Sequence, residues 1–286
     1  MRYPVIQDHA HEFGVEHMCL VLGVGRSGYY AWKHRLPSQR AQANQTLLGH
    51  IQAEYDHSRK TYGSPRIHAV LERKGVACGR HRVARLMRQD GLCARQRHKR
   101  RPVTTQRQLG VVPAPNLLNQ NFSAQAPNQK WVSDFTYIET GEGWLYLAVV
   151  LDLFSRKVIG WAMRQSMDTV LVETALRMAL LQRQPKAGLL HHSDQGSQYT
   201  SAAYLDCLNT TLARISMSRT GNCYDNAVAE SFFSTLKTEC VPGPFLTHTQ
   251  ARTTLFEYME VWYNRQRIHS TLGYHSPVDF EQQFSL

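Results

Sequence analysis

No stretch of this 286-residue chain is apolar enough to cross a bilayer. The most apolar run, WLYLAVVL at 144–151, is far short of the roughly 20 residues a spanning helix needs. The opening MRYPVIQDHAHEFG lacks the basic-then-apolar order of a signal peptide. Both absences lead to the expectation of a soluble, cytoplasmic protein with no membrane partner. Ordered cysteine spacing is missing too. Cys19, Cys78, Cys93, Cys207, Cys223 and Cys240 are scattered without a CxxC pair, which argues against a disulfide framework and against a zinc site. Acid is scarce in one half only. Residues 1–130 hold 21 Lys and Arg against 7 Asp and Glu, whereas 131–286 hold 12 against 15. A net charge of +11 placed so unevenly calls for a polyanion beside the first half, either nucleic acid or an anionic membrane surface, and composition alone does not choose.

What is present reads as two regions. VEHMCLVLGVGRSGYYAWKHR (15–35) predicts a small helical hairpin. Between 44 and 91 three helical patterns follow, the second opened by Ser64 as N-cap and Pro65 in its first turn. In the third, Val83, Leu86 and Met87 recur at helical spacing while Arg80, Arg82, Arg85 and Arg88 take the other faces. One face packs and the other is cationic, as in a helix-turn-helix unit whose last helix reads DNA. A solvated basic helix in a structural bundle is the plainer alternative. RQRHKRRPVTTQR (95–107) then carries six Lys and Arg with almost no apolar content, so it reads as a linker whose Arg97, Lys99, Arg100 and Arg101 follow phosphates. A Pro, Asn and Gln-rich boundary ends near 128.

Beyond that boundary the period changes. KWVSDFTYIE, GWLYLAVVLDLF and KVIGWAM predict an antiparallel three-strand meander. A helix over 168–184, a short buried strand GLLHHSD, a helix SAAYLDCLNT, a fifth strand RISMSR and a further helix complete the order βββαβαβα. The amphipathic segment TQARTTLFEYMEVWYNRQRIHS closes the chain, and no internal repeat is present. The expected division is 1–40 hairpin, 41–94 DNA-binding unit, 95–127 linker, 128–240 α/β core and 241–286 helical extension.

Three acids stand out in the core. Asp134 sits within the first strand, Asp194 directly follows the fourth, and Glu230 lies in NCYDNAVAESFFSTLK among small and aromatic residues, where an unpaired charge is costly. If the first and fourth strands are neighbours and the last helix packs across them, the three meet at one sheet edge. Close carboxylates repel unless cations separate them. Oxygen-only ligands suit Mg²⁺ or Mn²⁺, and two such ions support phosphoryl transfer, which supplies the basic half with its polyanion, DNA. Ala227 and Ala229 would let the helix approach, with Phe232 and Phe233 as anchors. Lys237, two turns after Glu230 on the same face, could reach a phosphate; an ordinary exposed lysine is the alternative. Asp152 reads as a turn acid and Asp225 as a helix cap, while Glu239 is a competing acid near the helix end. His191 and His192 read as strand-end packing or hydrogen-bonding residues, with metal ligation the lesser alternative, since hard cations favour oxygen.

Through WVSDFTYI, LDLFSRKVIGW, HHSDQGSQYTS, GNCYDNAVAESFFSTLKTE and YNRQRIHSTLGYHSP, with LGVGRSGYYAW and YGSPRIHAVL, the chain resembles the DDE transposases of bacterial insertion sequences. The resemblance is to the downstream-frame product, OrfB, of the IS-three family, within the retroviral-integrase superfamily. Thirty-five residues separate Asp194 from Glu230, as the family's D, D-35-E rule requires, and Lys237 fills its basic position seven residues later. The resemblance implies an RNase H-like core with a mixed five-stranded sheet behind an all-α helix-turn-helix-like region. It also implies Asp134, Asp194 and Glu230 as catalytic metal ligands for two Mg²⁺ or Mn²⁺ ions. The implied activity is cleavage at element ends, then attack of the 3′-OH on target DNA. The implied partners are terminal inverted repeats, target DNA, a second copy of the chain, and the upstream-frame OrfA product. A nucleoid-associated location follows. A non-catalytic DNA-binding regulator of the element competes with this reading, as does, more weakly, an RNA-strand nuclease of the same fold class.

Overall fold

Alternating and β-branched runs become strands where expected, and their pairing decides where the acids go. The computed structural model describes residues 2–95, 114–219 and 223–284. The chain divides into two compact units, Met1–Ala53 and Glu54–Leu286.

In the first unit, helices α1 (Arg2–Asp8), α2 (Val15–Val21) and α3 (Arg26–Lys33) enclose Ile6, Met18, Cys19 and Tyr29. The expected hairpin is α2 with α3. Helix α1 adds to it, and Tyr29 Oη donates to Gln7 Oε1 (2.8 Å). Helix α4 (Gln39–His57) carries the chain into the second unit.

There α5 (Ser64–Arg73) packs on α6 (Arg80–Gln89). Ser64 does not cap α5. Gly63, in extended backbone, holds the N-cap position with no side-chain bond, and Ser64 is the first helical residue. In α6, Val83, Leu86 and Met87 are buried as their spacing predicts.

The sheet contains β1 (Lys130–Thr140), β2 (Gly143–Asp152), β3 (Val158–Arg164), β4 (Leu190–Ser193) and β5 (Arg214–Met217), in the order β3-β2-β1-β4-β5. Strands β1 to β3 pair antiparallel, whereas β1–β4 and β4–β5 are parallel. Helix α7 (Thr169–Arg183) is capped by Asp168, which accepts from Leu171 N (3.0 Å). Helix α8 (Ala202–Asn209) is capped by Ser201. These helices bury Leu171, Leu176 and Leu208 with Trp131, Val150 and Ile159 on one sheet face. Each fully buried large side chain there contributes about 1.5–3 kcal/mol. Gly160 lets β3 and α7 touch: a Cβ there would stand 2.2 Å from the Ala175 carbonyl oxygen.

Helix α9 (Ala227–Glu239) packs against β1. The closing amphipathic segment is not one helix. It runs as α10 (His248–Phe256), then a π-helical turn at Glu257–Tyr263, and the chain ends in α11 (Pro277–Gln282).

Candidate active site

The β1–β4 pairing fixes two of the three acids. Lys130, Trp131 and Val132 pair with Leu190, His191 and His192. The pairing ends there, two residues before Asp134 in β1 and Asp194 just past β4, and the Asp194 charge acts on the Asp134 carboxyl. Asp134 Oδ1 accepts from Phe135 N (2.8 Å) and Asp194 Oδ1 from Gly196 N (2.9 Å), so each carboxylate is oriented by its own turn of backbone. Gly196 leaves room for that: a Cβ on it would lie 3.0 Å from Asp194 Oδ1 and 3.1 Å from Gln198 Oε1, a tight fit.

Glu230 arrives from α9. Ala229, Phe232, Phe233 and Leu236 on this helix are buried, and Phe232 meets the Tyr263 ring edge-on at 4.9 Å. Glu230 itself is exposed. The charges sense one another. Burial first, then the neighbouring Asp194 charge, pushes the Asp134 carboxyl well above the usual range; Glu230 adds to the rise, while the Phe135 N–H and Lys237 oppose it. Desolvation also raises Glu230. Among the described residues no group of three or more His, Cys, Asp or Glu side chains is placed as it stands to hold a metal ion. Mutual repulsion of three carboxylates opposes such a grouping. The donor set nonetheless suits a hard divalent cation, being oxygen throughout.

Sequence reasoning missed Tyr199. It is 1% exposed, its hydroxyl makes no hydrogen bond among the described residues, and its ring packs on Phe135 at 6.2 Å. Burial, then the Asp134 charge, raises its hydroxyl well above the ordinary value. Its place five residues after Asp194 was the only available signal. Lys237 is half-buried, its ammonium 4.7 Å from the centroid of the Tyr137 ring on β1.

The remaining acids have structural partners. Asp152 is fully buried and accepts from Phe154 N (2.9 Å), Asn128 N (2.7 Å) and Arg183 Nη2 (3.1 Å), which makes it a turn acid and more. Asp225 is not the cap of α9: Asn226 holds that position, and Asp225 accepts from Arg219 N (2.9 Å) and Gln120 Nε2 (3.2 Å). Glu239 takes a paired contact from Arg267 (2.7 Å from Nη2) and a bond from Tyr258 Oη (2.9 Å). His191 Nε2 lies 2.8 Å from Ser133 Oγ, and His192 Nδ1 lies 2.8 Å from Ser216 Oγ. Burial lowers these imidazoles to about 3 and about 4, so both are neutral.

On α6, Arg80, Arg85 and Arg88 are exposed and Arg82 is half-buried; Arg97, Lys99, Arg100 and Arg101 lie outside the described residues. The segment opened by Tyr62 meets the one closing at Pro277: Ile268 N donates to Tyr62 Oη (2.8 Å) and Arg73 Nη1, at the end of α5, to the Tyr274 carbonyl (2.6 Å). Between them lies a cleft of about 480 Å³ lined by Arg66, Arg95 and Arg267 and by Ser234, Thr235 and Thr238 of α9.

An HTH-like domain model matches residues 42–100, and Integrase core domain models match 124–223 and 230–284. "Transposase InsF for insertion sequence IS3A" of Escherichia coli K12 is 44% identical over 286 residues, covering 99% of each chain. "Insertion element IS600 uncharacterized 31 kDa protein" of Shigella sonnei is 44% identical over 268 residues, 93% of this chain and 98% of its own. A simian T-cell lymphotropic virus intasome bound to PP2A regulatory subunit B56 gamma aligns at TM-score 0.46 and 15% identity, over 72% of this chain and 67% of its own. The HTLV-2 integrase catalytic core domain in complex with magnesium, in its trimeric form, aligns at 0.41 and 14%, over 56% and 99%.

Proposed function

The chain belongs to the transposases of IS3-type insertion sequences, and from that premise we propose that Asp134, Asp194 and Glu230 hold two divalent cations, Mg²⁺ or Mn²⁺, for DNA strand cleavage and transfer. The protein is a DNA transposase, a DDE-type polynucleotidyl transferase. The observation that supports the site assignment is the β1–β4 pairing, which ends two residues before Asp134 and Asp194 and so brings those two chain positions near each other.

When bound, such cations activate an attacking oxygen and stabilise a leaving one. The chain's own residues do the positioning. Asp134 is held on the central strand, Asp194 by the Gly196 N–H, and Glu230 by the buried face of α9. Lys237 takes a phosphate beside them. The exposed arginines of α6 and the basic residues of 95–107 hold the duplex, phosphate contacts giving position and base contacts giving sequence. On this reading the five-part division 1–40, 41–94, 95–127, 128–240 and 241–286 separates recognition from chemistry. The DNA partners are the terminal inverted repeats and a target. One protomer acts per DNA end, so the working form is a dimer or larger, with the upstream-frame OrfA product as fusion or partner. The site of action is the nucleoid.

Labelled element ends incubated with the chain, alone and with OrfA, test this reading. It expects 3′-OH ends and joined product in Mg²⁺ and neither in EDTA. DNA binding unchanged by EDTA, with no joined product in Mg²⁺ under either condition, would make the protein a non-catalytic regulator.

A further inference from the structure

Next to the acids, on the β1–β2 hairpin, two aromatic rings stand in water without a protein cover. Tyr137 is 44% exposed and Trp144 is 48% exposed. They are diagonal neighbours, since Tyr137 pairs with Tyr146 and Trp144 with Glu139. Their rings meet edge to face at 5.1 Å and 82°. Diagonal aromatic pairs do strengthen a hairpin, but that role leaves unexplained why about half of each ring is exposed and why a lysine from α9 lies over one of them. The lysine is Lys237, 4.7 Å from the Tyr137 centroid.

Distance and chemistry favour one occupant. Tyr137 follows Asp134 on β1 at an odd spacing, on the other face of the strand, and Lys237 links the two: its ammonium is 4.7 Å from the Tyr137 ring centroid and its charge acts on the Asp134 carboxyl. An exposed aromatic face beside a cation is the arrangement that binds unpaired nucleotides, the ring taking the base and the cation its phosphate.

Resting on the transposase reading, we propose that Tyr137 and Trp144 form a stacking platform for a nucleobase unpaired from the duplex beside the cleaved phosphate. Lys237 rests on the Tyr137 ring in the free protein. When DNA arrives its ammonium transfers to the phosphate of the displaced nucleotide, and the uncovered ring takes the base. The platform binds any base, because every base offers a π face. It therefore adds to end cleavage without adding sequence specificity.

The test uses the full chain and element-end duplexes with 2-aminopurine at each position flanking the cleavage site, either fully paired or mismatched there. Wild type and Tyr137→Phe should change the fluorescence on binding at one flanking position, and Tyr137→Ala and Trp144→Ala should not. On fully paired ends Tyr137→Ala should cleave about tenfold more slowly, within the range of one lost stacking contact. Mismatched ends, already unpaired, should recover most of that rate. Asp134→Asn should keep the fluorescence change while losing cleavage. Equal fluorescence changes in wild type and Tyr137→Ala, or equal losses on paired and mismatched ends, would overturn the platform. A wild-type chain that shows the position-specific change but never cleaves would instead overturn the transposase site and leave the platform standing.

Discussion

Helix α9 carries two glutamates nine residues apart with opposite surroundings. Glu239 is buried and fully engaged by protein: Arg267 on both its carboxylate oxygens, Tyr258 Oη at 2.9 Å, and Trp262 Nε1 at 3.5 Å. Glu230 is exposed, and the charges it adds to are those of other acids, Asp134 and Asp194. The contrast separates a carboxylate that holds the fold from one placed to bind something outside it. Buried charges are tolerated when paired within the protein. Acids that raise one another's pKa are a liability for folding, and they make sense as ligands.

The largest expected effect lies at the Glu230 end. Asp134→Asn, Asp194→Asn and Glu230→Gln should each lower Mg²⁺-dependent cleavage by roughly a thousandfold or more, because residues acting as one unit each cost nearly the whole effect. Their thermal midpoints should match or exceed wild type, since each removes a repelling charge. At the Glu239 end the expectation reverses. Arg267→Met leaves a buried carboxylate unpaired and should cost about 3–5 kcal/mol in urea unfolding, with the double variant Glu239→Gln/Arg267→Met recovering much of it. An unchanged midpoint in Arg267→Met would erase the distinction between the two ends.

Smaller effects refine it. Lys237→Ala should weaken DNA binding evenly across sequences and reduce the salt slope by about one phosphate contact. His269, next to Arg267, is held at about 2 by burial and by the neighbouring arginine charges. It stays neutral in the folded chain but takes a proton in the unfolded chain below its ordinary value of 6.5, so stability should fall as the pH drops from there toward 2. The slope from this one group is at most about 1.4 kcal/mol per pH unit, and His269→Gln should flatten the melting profile between pH 6 and 4.

Much of this was legible in the sequence because it is local or periodic. The strand sequence, the buried triplet Val83, Leu86 and Met87, and the anchoring of α9 by Phe232 and Phe233 follow from spacing alone. That β1 and β4 would be neighbours was a condition of the argument, and the observed register meets it. What escaped depends on partners far along the chain. Asp225 accepts from Arg219 six residues before it and from Gln120 across 105 residues, and these bonds replace the cap its position suggested. Glu239 finds Arg267 across 28 residues and a π-helical turn that no period announces. Ser64 lost its capping role to the extended backbone of Gly63, a shift of one residue that composition does not settle.

The most direct test joins labelled element ends to target DNA in Mg²⁺, with OrfA present, comparing wild type, Glu230→Gln and Glu239→Gln at matched folded fraction. The account predicts joined product from wild type and Glu239→Gln and none from Glu230→Gln, with equal DNA binding by all three. Joined product from Glu230→Gln at the wild-type rate would contradict it.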